Sequence, residues 1–208
     1  MNTFFVADTH FGHARIVELG HRPFATVQEM DDTLVANWNA VVQPRDLVYH
    51  VGDFSFAKPI PYLDRLNGRI YLVTGNHDRK RLNLEAKARF AAVVPYAEVT
   101  VGGHEVTLCH YALRVWNKSH HGAWHLYGHS HGTLGDDPYS LSLDVGVDCW
   151  WWRRGLSPAD GRLEAYAGRA APGTRRPDFR PLSLAEVEAL MAKKSYKPVD
   201  HHEPDDDE

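Results

Sequence analysis

The sequence predicts an α/β fold, and the main observation is an alternation in its first half. Three short segments rich in β-branched and aromatic residues are predicted strands, at residues 3–7, 46–51 and 69–74. Each ends in a polar loop that leads into a helical pattern, which is typical of α/β proteins. The predicted helices cover residues 13–19, 27–42, 57–66 and 79–90.

The helix over 27–42 has the clearest pattern. Thr26 and Glu29 have the spacing of a capping box, and apolar residues then follow at steps of three and four residues. The helix over 57–66 is predicted to end at Asn67-Gly68, a common C-terminal signal.

The second half of the chain is predicted to contain more antiparallel strand. Residues 93–101 and 104–108 flank Gly102-Gly103, which predicts a hairpin with a two-residue turn. Further strands are predicted at 139–147 and 163–166. A last helix begins after Ser183, which has capping-box spacing to Glu186.

Length and composition bound the classes of protein to consider. The chain has 208 residues, of which 43% are hydrophobic and 24% are charged, as expected for a soluble protein. We expect one domain over 1–195. We expect the acidic tail over 196–208 to be disordered. No apolar run approaches the ~20 residues of a membrane span, and we expect no membrane association. The N-terminus shows no secretory signal, so we expect a cytoplasmic protein. A net charge of −4 argues against a general nucleic-acid coat.

Histidine is the unusual residue, with 14 copies concentrated in a few segments. Singly, an Asp at a strand end is usually a cap and a lone His is usually a core residue. Together and in this order, the segments indicate a metal site, because carboxylate, amide and imidazole donors suit ions such as Mn, Fe and Zn. The five segments are Asp8-Thr9-His10, Gly52-Asp53, Gly75-Asn76-His77-Asp78, His110 and Gly128-His129-Ser130-His131.

This ordered set resembles the signature of the calcineurin-like metallophosphoesterases, over residues 8 to 131. The chain is most similar to the small bacterial and phage members of that superfamily. The resemblance implies a four-layer α/β/β/α sandwich of two mixed sheets with helices outside. It also implies hydrolysis of a phosphate ester by water activated between two divalent cations.

The resemblance further implies a role for each motif residue. Two divalent ions are expected per chain, Mn²⁺ being favoured and Fe, Zn, Ni or Co being compatible. Asp53 would bridge the ions, His77 would protonate the leaving oxygen as general acid, and Asp78 would orient His77. The remaining ligands would be Asp8, His10 and His131 for one ion and Asn76, His110 and His129 for the other.

Two further residues are weaker candidates for substrate contact. His13 lies at a predicted helix start near Asp8, and Arg114 lies in the loop after His110. The run Trp150-Trp151-Trp152 is interpreted as core or dimer contact rather than as a base-stacking surface.

The sequence does not name the substrate. A phosphodiester is slightly favoured, and a nucleotide or a nucleic-acid end is among the candidates. The alternatives are a phosphomonoesterase or protein phosphatase and, more remotely, a metal-stabilised binding scaffold without catalysis. The oligomeric state stays open.

Overall fold

A computed structural model describes residues 1–149, 178–197 and 199. Its first sheet is mixed and has the strand order β4-β3-β2-β1-β9. The neighbouring pairs β1–β2, β2–β3 and β3–β4 are all parallel. The edge strand β9 is antiparallel to β1. The strands of this sheet are β1 (Thr3–Val6), β2 (Leu47–His50), β3 (Arg69–Val73), β4 (Ala92–Val94) and β9 (Leu182–Ser183).

The second sheet is also mixed, with the order β5-β6-β7-β8. Only the β5–β6 pair is antiparallel, and it forms the hairpin predicted around Gly102-Gly103. The β6–β7 and β7–β8 pairs are parallel. The described antiparallel pairs, β5–β6 and β1–β9, both involve strands of the second half, which is therefore richer in antiparallel strand than the first half, as predicted. The strands are β5 (Ala97–Val101), β6 (His104–Leu108), β7 (Trp124–Tyr127) and β8 (Ser142–Asp144).

The helices pack outside the sheets. Buried residues of α1 and α2, including Ile16, Leu34 and Trp38, form one core with the outer face of the first sheet. A second core fills the space between the two sheets, and Val187 of α5 belongs to it. The helices are α1 (Ala14–Leu19), α2 (Val27–Val41), α3 (Ile60–Leu63), α4 (Leu84–Lys87) and α5 (Leu184–Met191).

This architecture, two mixed sheets face to face with helices outside, confirms the predicted fold class. None of the described helices is long and apolar enough to cross a bilayer. The predicted strand at 163–166 and the run Trp150-Trp151-Trp152 lie outside the described residues.

The predicted caps of α2 and α5 are present. Thr26 accepts a hydrogen bond from the backbone N–H of Glu29, and Ser183 and Glu186 form a reciprocal capping box. Both satisfy N–H groups that the first turn of a helix leaves without a partner.

Two predicted helices are shorter than expected. The pattern over 57–66 yields only Ile60–Leu63, because Pro59 disfavours helical backbone at the residue before it. The pattern over 79–90 is split into a 3-10 turn at Asp78–Lys80 and the short helix α4. Asn83 causes the break, since its side chain caps α4 by accepting the N–H of Ala86 at 2.8 Å.

The predicted strand over 93–101 is two strands that belong to different sheets. β4 pairs with β3, and β5 pairs with β6. Pro95 stands between them and has no N–H to continue a ladder. The chain therefore crosses from the first sheet to the second at this proline.

Two residues at the start of the predicted tail contact the domain. Tyr196 donates a hydrogen bond to the carbonyl of Ser119, and the N–H of Lys197 donates to the carbonyl of Tyr139 at 2.9 Å. The division into a domain over 1–195 and an acidic tail over 196–208 stays a prediction.

Candidate metal centre

The sheet topology brings the predicted ligands to one end of the molecule. Asp8, Asp53 and Asn76 follow β1, β2 and β3, which are parallel neighbours. In the second sheet, His110 follows β6 and His129 follows its parallel neighbour β7. Because parallel strands end at the same edge, each sheet collects its polar residues at one edge.

Backbone hydrogen bonds join the two sheets at this end. The N–H of Ala7 donates to the carbonyl of Val145 at 3.1 Å, and the N–H of Val147 donates to the carbonyl of Ala7 at 3.0 Å. The end of β1 is thereby fixed to the segment after β8. This pairing holds the ligand-bearing loops of one sheet against those of the other.

Five of the predicted ligands have left-handed backbone. Their φ angles lie between 49° and 67°, a region that few residues other than glycine adopt. Each such position costs on the order of 1–2 kcal/mol, and such strain is concentrated at functional sites. The five residues are Asp8, His10, Asp53, His129 and His131.

The side chains converge in two groups. One consists of Asp8, His10 and His131 and the other of Asp53, His110 and His129, and within each group the ligand atoms lie within 4.8 Å of one another. The Asp53 carboxylate faces both groups. Its Oδ2 lies 3.7 Å from His10 Nε2 and 3.4 Å from His110 Nε2.

Asn76 joins the second group. Its Oδ1 lies 3.2 Å from His110 Nε2, while His110 Nδ1 lies 2.9 Å from the carbonyl of Val51. A histidine that donates one ring N–H to a backbone carbonyl presents its other nitrogen as a lone pair. His110 is therefore oriented for coordination through Nε2.

The polar atoms of the first group show that the residues fit a cation. Asp8 Oδ1, His10 Nδ1 and His10 Nε2 are buried and have no hydrogen-bond partner. Leaving such atoms without a partner costs about 1–3 kcal/mol each. A divalent ion is the ligand that a carboxylate oxygen and an imidazole nitrogen facing each other would share.

The buried carboxylates around the two groups favour positive charge on the neighbouring histidines. Burial raises the pKa of Asp8 to about 7. Burial alone would lower the pKa of His110 and His131, yet the neighbouring carboxylates raise both to about 9. Asp53 acts on His110, Asp148 acts on His131, and Asp8 acts on both.

Arg22 and Asp148 form hydrogen bonds to residues of the first group. The Arg22 guanidinium donates to both oxygens of Asp148, at 2.9 and 2.8 Å, and to the carbonyls of Asp8 and Thr9 at 2.6 and 2.9 Å. Asp148 in turn bonds to His131 Nδ1 at 2.5 Å. The carboxylate fixes the orientation of His131, and the Arg22 charge holds the pKa of Asp148 well below its usual range despite burial.

Asp78 joins two loops of the candidate site. Its carboxylate accepts the backbone N–H groups of Asp53 and Gly75 at 2.7 Å and of Phe54 at 2.9 Å. It therefore ties the loop after β2 to the loop after β3. Orientation of the His77 imidazole by Asp78 stays a prediction.

His77 lies at the edge of the two groups. Its side chain is 40% exposed, and its Nε2 is 3.9 Å from Asp53 Oδ2. Its backbone N–H donates to Asp53 Oδ1 at 2.9 Å, which fixes this part of the loop. The imidazole is thus accessible from solvent and close to both candidate cation positions.

His13 lies close to His77. Its ring stacks on Phe56 with centroids 3.8 Å apart, and Phe56 also contacts His77 at 5.0 Å. Burial lowers the pKa of His13, so the ring is favoured in its neutral form. The guanidinium of Arg81 lies over the same Phe56 ring at 4.6 Å.

Arg114 is not brought to this cluster. It lines a small depression with Trp116 and Tyr196, and none of the described residues around that depression is a candidate ligand. A phosphate contact from Arg114 stays a prediction without structural support.

The sequence reasoning missed Arg22, Asp148 and Phe56. Arg22 stands in a loop with no motif around it, and it meets Asp148 across 126 residues of chain. The alternation of Asp144, Gly146 and Asp148 at the end of the strand predicted over 139–147 was a usable signal for a further carboxylate at the same edge.

The fold and this centre define a metallophosphoesterase-type protein, and comparison places it in a family. Residues 1–138 match the calcineurin-like phosphoesterase superfamily domain. The chain belongs to the calcineurin-like phosphoesterase superfamily, whose activity is hydrolysis of phosphate esters.

Three relatives illustrate the similarity. An uncharacterised protein of Methanocaldococcus jannaschii is 34% identical over an alignment of 155 residues, with 70% of this chain and 81% of that protein covered. The gene 66 protein of Mycobacterium phage L5 is 31% identical over 183 residues, with 72% of this chain and 87% of the phage protein covered. The solved structure of the Aquifex aeolicus protein of unknown function AQ665 has a TM-score of 0.62 at 22% identity, covering 91% of this chain and 98% of that one.

Gly52 gives a first prediction about the site. A Cβ at Gly52 would lie 2.3 Å from His110 Nδ1, whereas a Cβ at Gly103 would meet nothing within 4 Å. Both glycines have left-handed backbone, with φ of 95° and 86°. Gly52→Ala should therefore lower the free energy of unfolding by about 2 kcal/mol more than Gly103→Ala, as expected for overpacking. Equal losses in denaturant titrations of the two variants would show that His110 is not confined by this contact.

Asp148 gives a second prediction. Asp148→Asn should weaken Mn²⁺ binding by about 10- to 100-fold, because His131 loses the carboxylate that orients it. Asp46→Asn is the matched control, since Asp46 is also buried and accepts backbone N–H groups from Asn2 and Gln43. Both variants should lose stability, and calorimetric titration with Mn²⁺ should separate them. The supporting role is wrong if the two bind Mn²⁺ equally.

Proposed function

We propose that the chain is a dinuclear-metal phosphoesterase. Asp53 would lie between two divalent ions, with Mn²⁺ favoured and Fe, Zn, Ni or Co compatible with the same oxygen and nitrogen donors. One ion would be held by Asp8, His10 and His131 and the other by Asn76, His110 and His129.

The observation that carries this proposal is the position of the Asp53 carboxylate. One oxygen, Oδ2, lies within 4 Å of imidazole nitrogens from both groups, His10 Nε2 at 3.7 Å and His110 Nε2 at 3.4 Å. Two dications held side by side need a shared anion to limit their repulsion. Among the described residues, Asp53 is the carboxylate that contacts histidines of both groups.

When bound, two such ions would lower the pKa of a water from 15.7 to about 7 and stabilise the charge of the phosphoryl oxygens. The protein's contribution is to fix the ligands. Arg22 and Asp148 hold His131, Asp78 ties together the loops that carry Asp53 and Asn76, and the backbone pairing of Ala7 holds Asp8. This rigidity keeps the donors in place before substrate arrives.

His77 is the proposed general acid. It is accessible, it lies beside both groups and its backbone is anchored to Asp53. Its imidazole would donate a proton to the departing oxygen, a contribution typically of ~10² to 10⁴-fold in rate. His13, stacked on Phe56 next to His77, is the proposed contact to the substrate on the same side.

Metal removal tests the proposed function directly. Protein stripped with a chelator should not hydrolyse phosphate esters and should regain activity with Mn²⁺. Mg²⁺ should restore little, because it prefers octahedral oxygen ligands over imidazole. Elemental analysis should find two ions per active chain. Full activity in chelator, with no transition metal in the protein, would contradict the proposal.

The role of His77 can be separated from metal binding through the leaving group. His77→Ala should lose most of its rate on an ester that releases an alkoxide of high pKa. It should lose much less on a nitrophenyl ester, because nitrophenolate departs without a proton. Bound metal should stay unchanged.

Two outcomes would contradict this assignment. An equal loss on both esters would assign His77 to phosphate binding or loop structure. A fall in metal content would make His77 a ligand. Arg79→Ala, at an exposed residue of the 3-10 turn that follows His77, serves as the control.

A further inference from the structure

Thr9 stands between two candidate ligands and has no part in the proposed chemistry. Asp8 and His10 on either side of it have left-handed backbone, with φ of 58° and 50°. Few residues other than glycine adopt this conformation, so the surrounding contacts must hold it in place. Thr9 itself is 1% exposed, and the contacts of its buried side chain therefore bear on both ligands.

Two hydrogen bonds fix the Thr9 hydroxyl. Its Oγ1 lies 2.7 Å from the carbonyl oxygen of Phe54 and 2.9 Å from His50 Nε2. A carbonyl oxygen can only accept and a hydroxyl has a single proton, so Thr9 donates to Phe54. His50 must then donate its Nε2–H to Thr9. This order of donors assigns the Nε2–H tautomer to His50.

The surroundings of the His50 ring agree with this tautomer. The ring is fully buried and packs against Trp38 and Phe54, with ring centroids 6.4 and 5.2 Å away. Burial lowers the pKa of His50 to about 3, so the imidazole is neutral at neutral pH. Its Nδ1 has no hydrogen-bond partner among the described residues. A buried lone pair without a partner is easier to accommodate than a buried N–H, which favours a proton on Nε2.

The same contacts join the loop after β1 to the loop after β2. The backbone N–H of His10 donates to the carbonyl of Asp53 and that of Phe11 donates to the carbonyl of Phe54, both at 3.0 Å. The Thr9 hydroxyl adds a side-chain bond to this backbone pairing. Because Phe54 directly follows Asp53, the bond sets Thr9 against the segment that carries the carboxylate facing both groups.

We propose that Thr9 and His50 are positioning residues for the pair of ions. They hold Asp8 and His10 in register with Asp53, so that the ion of the first group can share the Asp53 carboxylate. The inference rests on the proposed function, because it takes Asp53 as the ligand between two ions. A purely structural role of Thr9 and His50 would affect only the free energy of unfolding.

The tautomer of His50 can be measured without metal. In the full chain without added metal, long-range 1H–15N NMR correlations should place the ring proton on Nε2. Thr9→Val removes the acceptor and should shift the ring signals of His50, whereas Thr107→Val should leave them in place. Thr107 is the matched control, because it is 2% exposed, lies on β6 and forms a side-chain hydrogen bond with Tyr96. A proton on Nδ1 in the wild-type chain would overturn the inference.

Bound Mn²⁺ gives the second measurement. Two Mn²⁺ ions that share a carboxylate give an exchange-coupled EPR spectrum, whereas separate ions do not. Thr9→Val should weaken Mn²⁺ binding by about tenfold or more and abolish the coupled spectrum, the loss typical of residues that support metal ligands. Thr9→Ser keeps the hydroxyl and should restore both, and Thr107→Val should change neither. Normal affinity with a coupled spectrum in Thr9→Val would contradict the inference.

Variants of His50 test the pair from its other member if Thr9→Val does not fold. Gln can present an amide N–H in place of the His50 Nε2–H, whereas Leu has no donor. His50→Gln should therefore keep the coupled spectrum, and His50→Leu should lose it. Identical EPR spectra of the two variants would reduce His50 to a packing role and overturn the inference.

The wild-type chain separates this inference from the proposed function. If wild-type protein with Mn²⁺ shows no coupled pair, the dinuclear proposal fails and the inference fails with it. If the wild-type pair is coupled and the coupling persists in Thr9→Val and His50→Leu, only the positioning role is lost and the dinuclear proposal stands.

Discussion

Buried negative charge is the constraint on which the rest of this structure depends. Five aspartates are buried where the two sheets meet, and an ionised carboxylate is stable there only when it is paired or hydrogen-bonded. The protein satisfies them in different ways. Backbone N–H groups donate hydrogen bonds to Asp78 and Asp144, and the Arg22 side chain donates to Asp148. Asp8 and Asp53 instead face the histidines.

These different partners distinguish the aspartates that support the structure from those of the candidate metal site. The carboxylates that backbone or arginine fully satisfies hold loops and ligands in position. Asp8 retains an oxygen without a partner, and Asp53 directs one towards histidines of both groups. The left-handed backbone at both residues adds strain that the surrounding pairing must offset. Strain and unsatisfied polar atoms therefore occur together at one place, as expected for a functional site rather than for a structural cluster.

The convergence of the candidate ligands could be predicted from sequence because it depends on local rules. Asp8, Asp53 and Asn76 each follow an apolar strand, and parallel strands necessarily bring their carboxyl ends together. The supporting residues follow no such rule. Arg22 and Asp148 meet only through the tertiary fold, and so do Asp78 and the backbone of Asp53.

The elements show the same division between local and tertiary control. The caps at Thr26 and Ser183 are short-range signals and were predicted correctly. β7 was not predicted, since all four of its residues are buried and it lacks the alternation that marks a strand with one solvent face. The split of residues 93–101 at Pro95 depends on which sheet each half joins, and no local pattern gives that information.

The pairing of Arg22 with Asp148 also determines when the candidate site can assemble during synthesis of the chain. The strands that carry Asp8, Asp53 and Asn76 emerge first, but the carboxylate that steadies His131 is made 126 residues after its arginine partner. At typical elongation rates that interval is on the order of ten seconds. For most of it the nascent chain carries Asp8 and His10 without the complete second sheet, because β8 ends at Asp144. The first group of candidate ligands therefore gains its supporting carboxylate only late in synthesis, after all four strands of the second sheet have been made.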